Sequence, residues 1–441
     1  MSNTQDKTNP FATDNFKRWG AYTLGMFFFL YAFVQRVAPS VMTEELMRDL
    51  QVGATRLGIL SGAYFYTYAV LQLPIGLLVD RFGARRLLSA AALTSGIASA
   101  GFAFSDTLLA ATVFRALTGA AVAFAFVGTL SILSSHFAAH RFSLLAGILQ
   151  TMGMVGAIAG QAPLRWMIEQ RGWDQVFRDL GWVAVVLALA LFFVVPKRRQ
   201  AIHRPDKSSV HPQKSLTTSL KHVLGNRQSW YCALFGFGMA APMLAFAGLW
   251  AIPWVSAAYD FEPGQAAGIV AWLFIGWGLA APLAGWLSDF QGKRKPVQIA
   301  GALLALVALC LLIYLPDWSP ASLRMLFFAA GCGGSTMIVL FSSVRELNDP
   351  DDGAAAMGFA NMFVVGSGGI LQALLGWRLD VNRVKALAPS GEAIDALTIS
   401  ETPVYSAANY SSAFILLIIS SVLAVIAAML IRETGSGRIK P

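Results

Sequence analysis

Gly76-Leu77-Leu78-Val79-Asp80-Arg81-Phe82-Gly83-Ala84-Arg85-Arg86 lies between two long apolar segments. About 209 residues later a degraded copy follows: Gly285-Trp286-Leu287-Ser288-Asp289, then Gly292, Arg294 and Lys295. A glycine, an acid, a second glycine and a basic pair, set between apolar helices once per half chain, point to a two-fold membrane protein. Parallel repeats of six helices build one large class of secondary transporters.

Composition agrees. Of 441 residues, 56% are hydrophobic and only 13% charged, about half the charge of a typical soluble domain. A membrane helix needs roughly 20 apolar residues. Twelve such stretches are expected, near 19–42, 57–79, 86–105, 108–135, 142–167, 177–195, 229–257, 265–288, 297–315, 321–344, 353–378 and 409–431. The expected fold is therefore all-α, with two pseudo-symmetric six-helix bundles. Residues 19–195 form the first bundle and 229–431 the second. A basic linker, 196–228, joins them, and short tails, 1–18 and 432–441, close the chain. The loop near 379–408 is expected to be the longest on the outer side, with room for a short helix.

The net charge of +9 does not signal nucleic acid. With the N-terminus inside, roughly 22 of the 33 Lys and Arg fall on the cytoplasmic side and about 9 outside, the positive-inside bias. Both termini are thus expected in the cytoplasm, the membrane being a bacterial inner one. No basic and aromatic surface module remains for nucleic acid. Cys232, Cys310 and Cys332 have no pairing or metal-binding spacing and read as packing residues. The run Gly331-Cys332-Gly333-Gly334-Ser335 lacks the Lys of a phosphate loop. No cofactor, metal or catalytic constellation is expected, so an enzyme is not; the expected partners are a small-molecule substrate and the lipid bilayer, and a monomer is expected.

Arg36 is the sharpest single residue. Counting back from Glu44, it is about 12 Å deep at 1.5 Å per residue. Arg115, early in the fourth apolar stretch, is about as deep. A guanidinium is permanently charged and costs several kcal/mol in hydrocarbon. Two of them can form a fork for carboxylate or phosphate. The plainer readings are snorkelling of Arg36 to the outer interface and bonds from Arg115 to backbone carbonyls. Gln150 and Asn361 share the half-to-half offset, as do Gln161 and Gln372; each amide within a helix is three turns from its partner. Such amides either face a water-filled cavity or join helices. Tyr64, Tyr68 and Gln72 form a stripe in line with Gly76 and Asp80 that lines a cavity or packs on the eleventh helix. Trp250, Trp254, Trp272 and Trp277 could wall a substrate's carbon skeleton. His136 is at a cytoplasmic helix end.

The pattern Gly-x3-Asp-Arg-x-Gly-x-Arg-Arg at Gly76–Arg86 resembles the loop 2–3 signature of the major facilitator superfamily. Gly58-Ile59-Leu60-Ser61-Gly62-Ala63-Tyr64, then Gln72-Leu73-Pro74 and Gly172-Trp173-Asp174-Gln175-Val176-Phe177, are similar to the anion:cation symporters, which include sugar-acid permeases, sialin and vesicular glutamate transporters. A looser likeness is to organophosphate:phosphate antiporters. The resemblance implies alternating-access transport of an organic anion. It implies substrate contacts at Arg36, Arg115, Gln150, Asn361, Tyr64, Tyr68, Gln35 and Trp250. It implies a gating latch at Gly76, Asp80, Arg81, Gly83, Arg85 and Arg86, echoed by Asp289 and Arg294. The family's Asp-Arg pair is here Gln35-Arg36, and the acid expected after Arg115 falls near Val122. With those coupling acids missing, either exchange or uniport is implied, or coupling through His136 or the substrate's own proton. The seventh helix has no basic residue, which argues against a phosphate ester. The alternative is transport of amphiphiles, siderophores or peptides, with Arg36 structural; a sensor on a transporter scaffold is a third reading.

Overall fold

The computed structural model describes residues 10–72, 74–137, 139–196, 216–315, 317–387 and 404–434, and every regular element among them is helical. The first half runs α1 (Pro10–Val37), a 3₁₀ turn (Ala38–Val41), α2 (Thr43–Asp49), α3 (Ala54–Leu71), α4 (Ile75–Phe82), α5 (Ala84–Ala103), α6 (Leu108–Val122), α7 (Phe124–His136), α8 (Ala139–Ala159), α9 (Ala162–Arg171) and α10 (Trp173–Val194). The second runs α11 (Leu216–Gly225), α12 (Arg227–Ala241), a π-helical stretch (Pro242–Trp250), α13 (Ala251–Tyr259), α14 (Pro263–Gln291), α15 (Lys295–Tyr314), α16 (Pro320–Ser335), α17 (Val339–Glu346), α18 (Gly353–Leu387), α19 (Ala407–Ala413) and α20 (Ile415–Leu430).

Nine helical runs among the described residues are long and apolar enough to cross a membrane. Several consist of two helices in line, such as α6 with α7 and α12 through α13. A tenth joins residues 144–159 of α8 to α9 at a bend of 41°. The α3–α4 pair, interrupted next to Pro74, and α5, whose first turn carries Arg85 and Arg86, complete the twelve. Trp182, Phe193, Leu283 and Phe290 are exposed, an apolar surface that suits lipid rather than water.

The structure revises two expected boundaries. Part of the linker is ordered as α11, which buries Ser219 and Val223; residues 197–215 lie outside the described ones. The helix of the eleventh span runs on to Leu387, well into the loop expected at 379–408.

The pseudo-symmetry survives in the backbone. Gly83 has φ 80° and Gly292 φ 63°, a region open to glycine at little cost. Each turns the chain sharply after the second helix of its half. These two turns mark one face of the molecule, here the Gly83 face; the opposite one is the Gly53 face. The halves meet along α3 and α18, where small residues let backbones touch. A Cβ on Gly62 would lie 3.0 Å from the Gly369 carbonyl, and one on Gly58 would lie 2.9 Å from Ala373 Cα.

Candidate functional site

The site begins with a broken helix. Pro39 has no N–H, so it cannot close the helical bond to the Gln35 carbonyl. α1 ends at Val37 and the chain tightens into the 3₁₀ turn. The freed carbonyls need donors. Arg115 on α6 supplies them: its Nη1 donates to Gln35 O at 2.6 Å and its Nη2 to Arg36 O at 3.1 Å. Gln161, at the α8–α9 bend, donates to Ser40 Oγ in the same turn at 3.4 Å.

The second half repeats the device. Helix α12 loosens into the π-helical stretch from Pro242. Gln372 on α18 donates to Leu244 O at 2.8 Å, and Trp250 Nε1 donates to the Gln372 carbonyl at 3.1 Å. So Gln161 and Gln372 each bind a break in the first helix of their own half. Of the two readings open in the sequence, this is the joining one. Trp250 is fully buried and ties the π-helical stretch to α18 of its own half rather than presenting its indole N–H to a passage.

Between these two breaks lies a narrow cavity, too tight to hold a water, lined by Phe33, Arg36, Val37, Met243, Leu244, Gly248 and Phe274. Both halves contribute to it. Arg36 is 6% exposed. Its guanidinium lies 4.2 Å from the Phe33 ring centroid, 5.0 Å from Tyr68 and 5.8 Å from Tyr64. Tyr64 and Tyr68 stack at 6.1 Å, and Tyr64 Oη donates to Ala32 O at 3.2 Å. Among the described residues no carboxylate pairs with Arg36, and its Nε is buried without a partner. Cation–π contact recovers roughly 0.5–2 kcal/mol, less than a buried charge normally costs. The snorkelling alternative fails: Arg36 points into the protein, toward aromatic rings.

The other expected contacts disperse. Gln35 is fully buried and faces away from the cavity, donating to Tyr31 Oη at 2.7 Å and Ser99 Oγ at 3.0 Å. Asn361 donates across the halves to Gln72 Oε1 at 2.9 Å, which ties the tyrosine stripe's last residue to α18. Gln150 is half-buried on α8 and is not part of the cavity lining. Arg115 lies under the Tyr64 ring at 4.8 Å with both terminal nitrogens engaged. The expected two-arginine fork is thus one cavity arginine on a second that holds its backbone.

The latch is only partly described. Gly76 and Asp80 are on α4, but the Asp80 side chain lies outside the described residues. Arg81 and Arg86 are exposed, and Arg85 stacks on Phe192 at 4.5 Å. In the second half the charges form one network. Arg294 pairs with Asp289 and, at 3.0 Å, with Glu346. Glu433 accepts from the backbone N–H of Arg294 at 2.7 Å and of Lys295 at 3.2 Å. Burial would lower the Arg294 pKa, but the two carboxylates outweigh it and hold it above the usual range.

A seam that the sequence did not reveal closes the Gly53 face. Gly53 offers no side chain to cap α3, so the first N–H groups of that helix lack local acceptors. Asp380, on α18 of the other half, takes them: Oδ1 accepts from Ala54 N at 3.2 Å and Oδ2 from Thr55 N at 2.9 Å. Tyr405 Oη accepts from Ala54 N at 2.9 Å and donates to Asp380. Burial first, and then the Asp380 charge, push the Tyr405 hydroxyl well above the usual phenol range, so it stays a donor. The signal was an acid near the end of an apolar helix opposite a helix start with no cap.

The other pair of facing helices is α8 and α14. A Cβ on Gly278 would touch Met154 at 3.2 Å. Two turns further toward the Gly83 face, Gly285 and Gly147 meet nothing within 4 Å.

Two crossed bundles with a shared cavity can be set beside known proteins. The profile of the Major Facilitator Superfamily matches residues 24–373. The chain belongs to this superfamily. It is 25% identical to the inner membrane transport protein RhmT of Escherichia coli, over 76% of this chain and 81% of that one. Shorter matches are a quinolone resistance transporter of Acinetobacter baumannii, 27% identical over 38% of this chain and 40% of its own, and the 4-hydroxybenzoate transporter PcaK of Acinetobacter baylyi, 28% identical over 38% of each. The chain spans under two thirds of the length of several relatives it matches. A bacterial homologue of the human lysosomal transporter Spinster superposes with a TM-score of 0.74 at 16% identity, covering 94% of this chain and 96% of that one. A chain of this superfamily with these apolar helical runs is an integral membrane protein.

Proposed function

We propose that the chain is a secondary transporter that moves a small organic anion of the carboxylate class by alternating access, with Arg36 as the binding cation. The observation that carries this reading is the buried guanidinium in a cavity shared by both halves, with no acid partner among the described residues. An anion would supply the missing charge-assisted bonds. The relative named for 4-hydroxybenzoate supports the substrate class. Tyr64 and Tyr68 hold the guanidinium, and Arg115 holds the helix break from which it projects. Gln35, Gln150, Asn361 and Trp250 act in this scheme as framework, not as ligands.

The halves 19–195 and 229–431 are the rocking bodies of a monomer in a bacterial inner membrane, with both tails in the cytoplasm. On that orientation the Gly53 face is outside and closed, and the passage opens inward. Gly76, Asp80, Arg81, Gly83, Arg85 and Arg86, with Asp289 and Arg294, form the latch that closes the Gly83 face in the opposite state. Asp380 is the counterpart on the closed face. Among the described residues no acid borders Arg36, so exchange or uniport fits better than proton symport.

The test is solute counterflow in proteoliposomes with labelled 4-hydroxybenzoate, tartrate and a neutral sugar. Uptake of an acid, lost in Arg36→Gln, is expected. Acid uptake that Arg36→Gln leaves intact would overturn the reading. The relative named for quinolone resistance favours a second reading, export of amphiphiles; counterflow of a quinolone unaffected by Arg36→Gln would support it.

A further inference from the structure

We infer that the Arg36 cavity selects a monoanion with a compact apolar body, an aromatic or branched aliphatic monocarboxylate, and rejects polyhydroxylated and doubly charged acids. This rests on the anion reading above and adds the class of the carbon skeleton. The space beside Arg36 is too tight to hold a water, so an occupant must part its walls to enter and must be compact. Arg36 is the one polar side chain in the lining; Phe33, Val37, Met243, Leu244 and Phe274 make the walls. One guanidinium fork matches one carboxylate. A second carboxylate would find no free cation beside it, because Arg115 directs Nη1 and Nη2 at carbonyls of α1.

Hydroxyls fare no better. A hydroxyl carried into this cavity leaves water and meets carbon. Of the amides expected to read it, Asn361 bonds Gln72, Gln35 bonds Tyr31 and Ser99, and Gln150 lies outside the lining. Each unmatched hydroxyl should therefore weaken binding by about tenfold. An apolar body instead displaces nothing polar, and it gains contact with a soft Met243 sulfur and the Phe274 ring.

The experiment is isothermal titration of the purified full-length chain in detergent with benzoate, cyclohexanecarboxylate, gluconate and tartrate. Benzoate and cyclohexanecarboxylate are expected to bind at least about tenfold more tightly than either of the others. Val37→Thr, which adds a hydroxyl at constant shape, should narrow the gap with gluconate. Gluconate or tartrate binding as tightly as benzoate, with Arg36→Gln abolishing both, would overturn the class while leaving the anion reading intact. Binding of none of the four acids, or binding that Arg36→Gln does not change, would overturn both.

Discussion

At the scale of the residue, two arginines of the same half separate into two roles. Arg36 is buried against aromatic rings without a counter-ion, whereas Arg115 satisfies two carbonyls that Pro39 leaves open. They should respond to the same substitution in opposite ways. Arg115→Met strands two buried carbonyls, at about 1–3 kcal/mol each, and should lower the melting temperature of the detergent-solubilised protein by several degrees. Arg36→Met removes an uncompensated charge, which is often neutral or stabilising, and should leave melting unchanged or raised while transport is lost. Equal destabilisation by both would contradict this division. The sequence marked both arginines as charges set within apolar helices, and even offered the carbonyl-bonding option for Arg115. It did not decide between options, because that depends on which atoms a break at Pro39 sets free and which helix passes over them. The side of α1 that Gln35 faces was likewise hidden, since neighbours thirty or more positions away, such as Ser99, fix it.

At the scale of the element, one carboxylate caps a helix that belongs to the other half. An N-cap contributes about 0.5–2 kcal/mol, and a charge at a helix N-terminus roughly 0.3–1 kcal/mol. Asp380→Ala should therefore shift the conformational equilibrium away from the Gly53-closed state by about 5- to 30-fold. Asp380→Asn should do less, since the amide oxygen still accepts. Thiol-labelling rates of a cysteine placed at Thr55 report this; an unchanged rate in Asp380→Ala would remove Asp380 from the gate. Gly58→Val should act in the same direction by wedging the α3–α18 seam against the Gln372 carbonyl and Ala373. Helix existence and order were readable from apolar runs. The seam was not, because Asp380 looked like the start of a loop that in fact continues as helix to Leu387. The amide pairs illustrate the same limit: the offset between Gln161 and Gln372 was visible, but that both serve helix breaks depends on where the first helix of each half loses its regular bonding.

At the scale of the whole molecule, the two halves meet along the α3–α18 seam and build one cavity between them. The repeat of Gly76–Arg86 in the second half made this architecture legible before any coordinate. The cavity's apolar lining was not, because it arises from residues of three separate helices brought together by the breaks. If the halves rock about this cavity, an anion held there must touch both, and its charge must be answered by Arg36. The most direct measurement compares the binding of a carboxylic acid with that of its isosteric amide, benzoate against benzamide, by titration calorimetry on the wild type and on Arg36→Gln. A preference for the acid of about tenfold or more in the wild type, abolished in Arg36→Gln, is the predicted result. An acid preference that persists in Arg36→Gln would contradict the account.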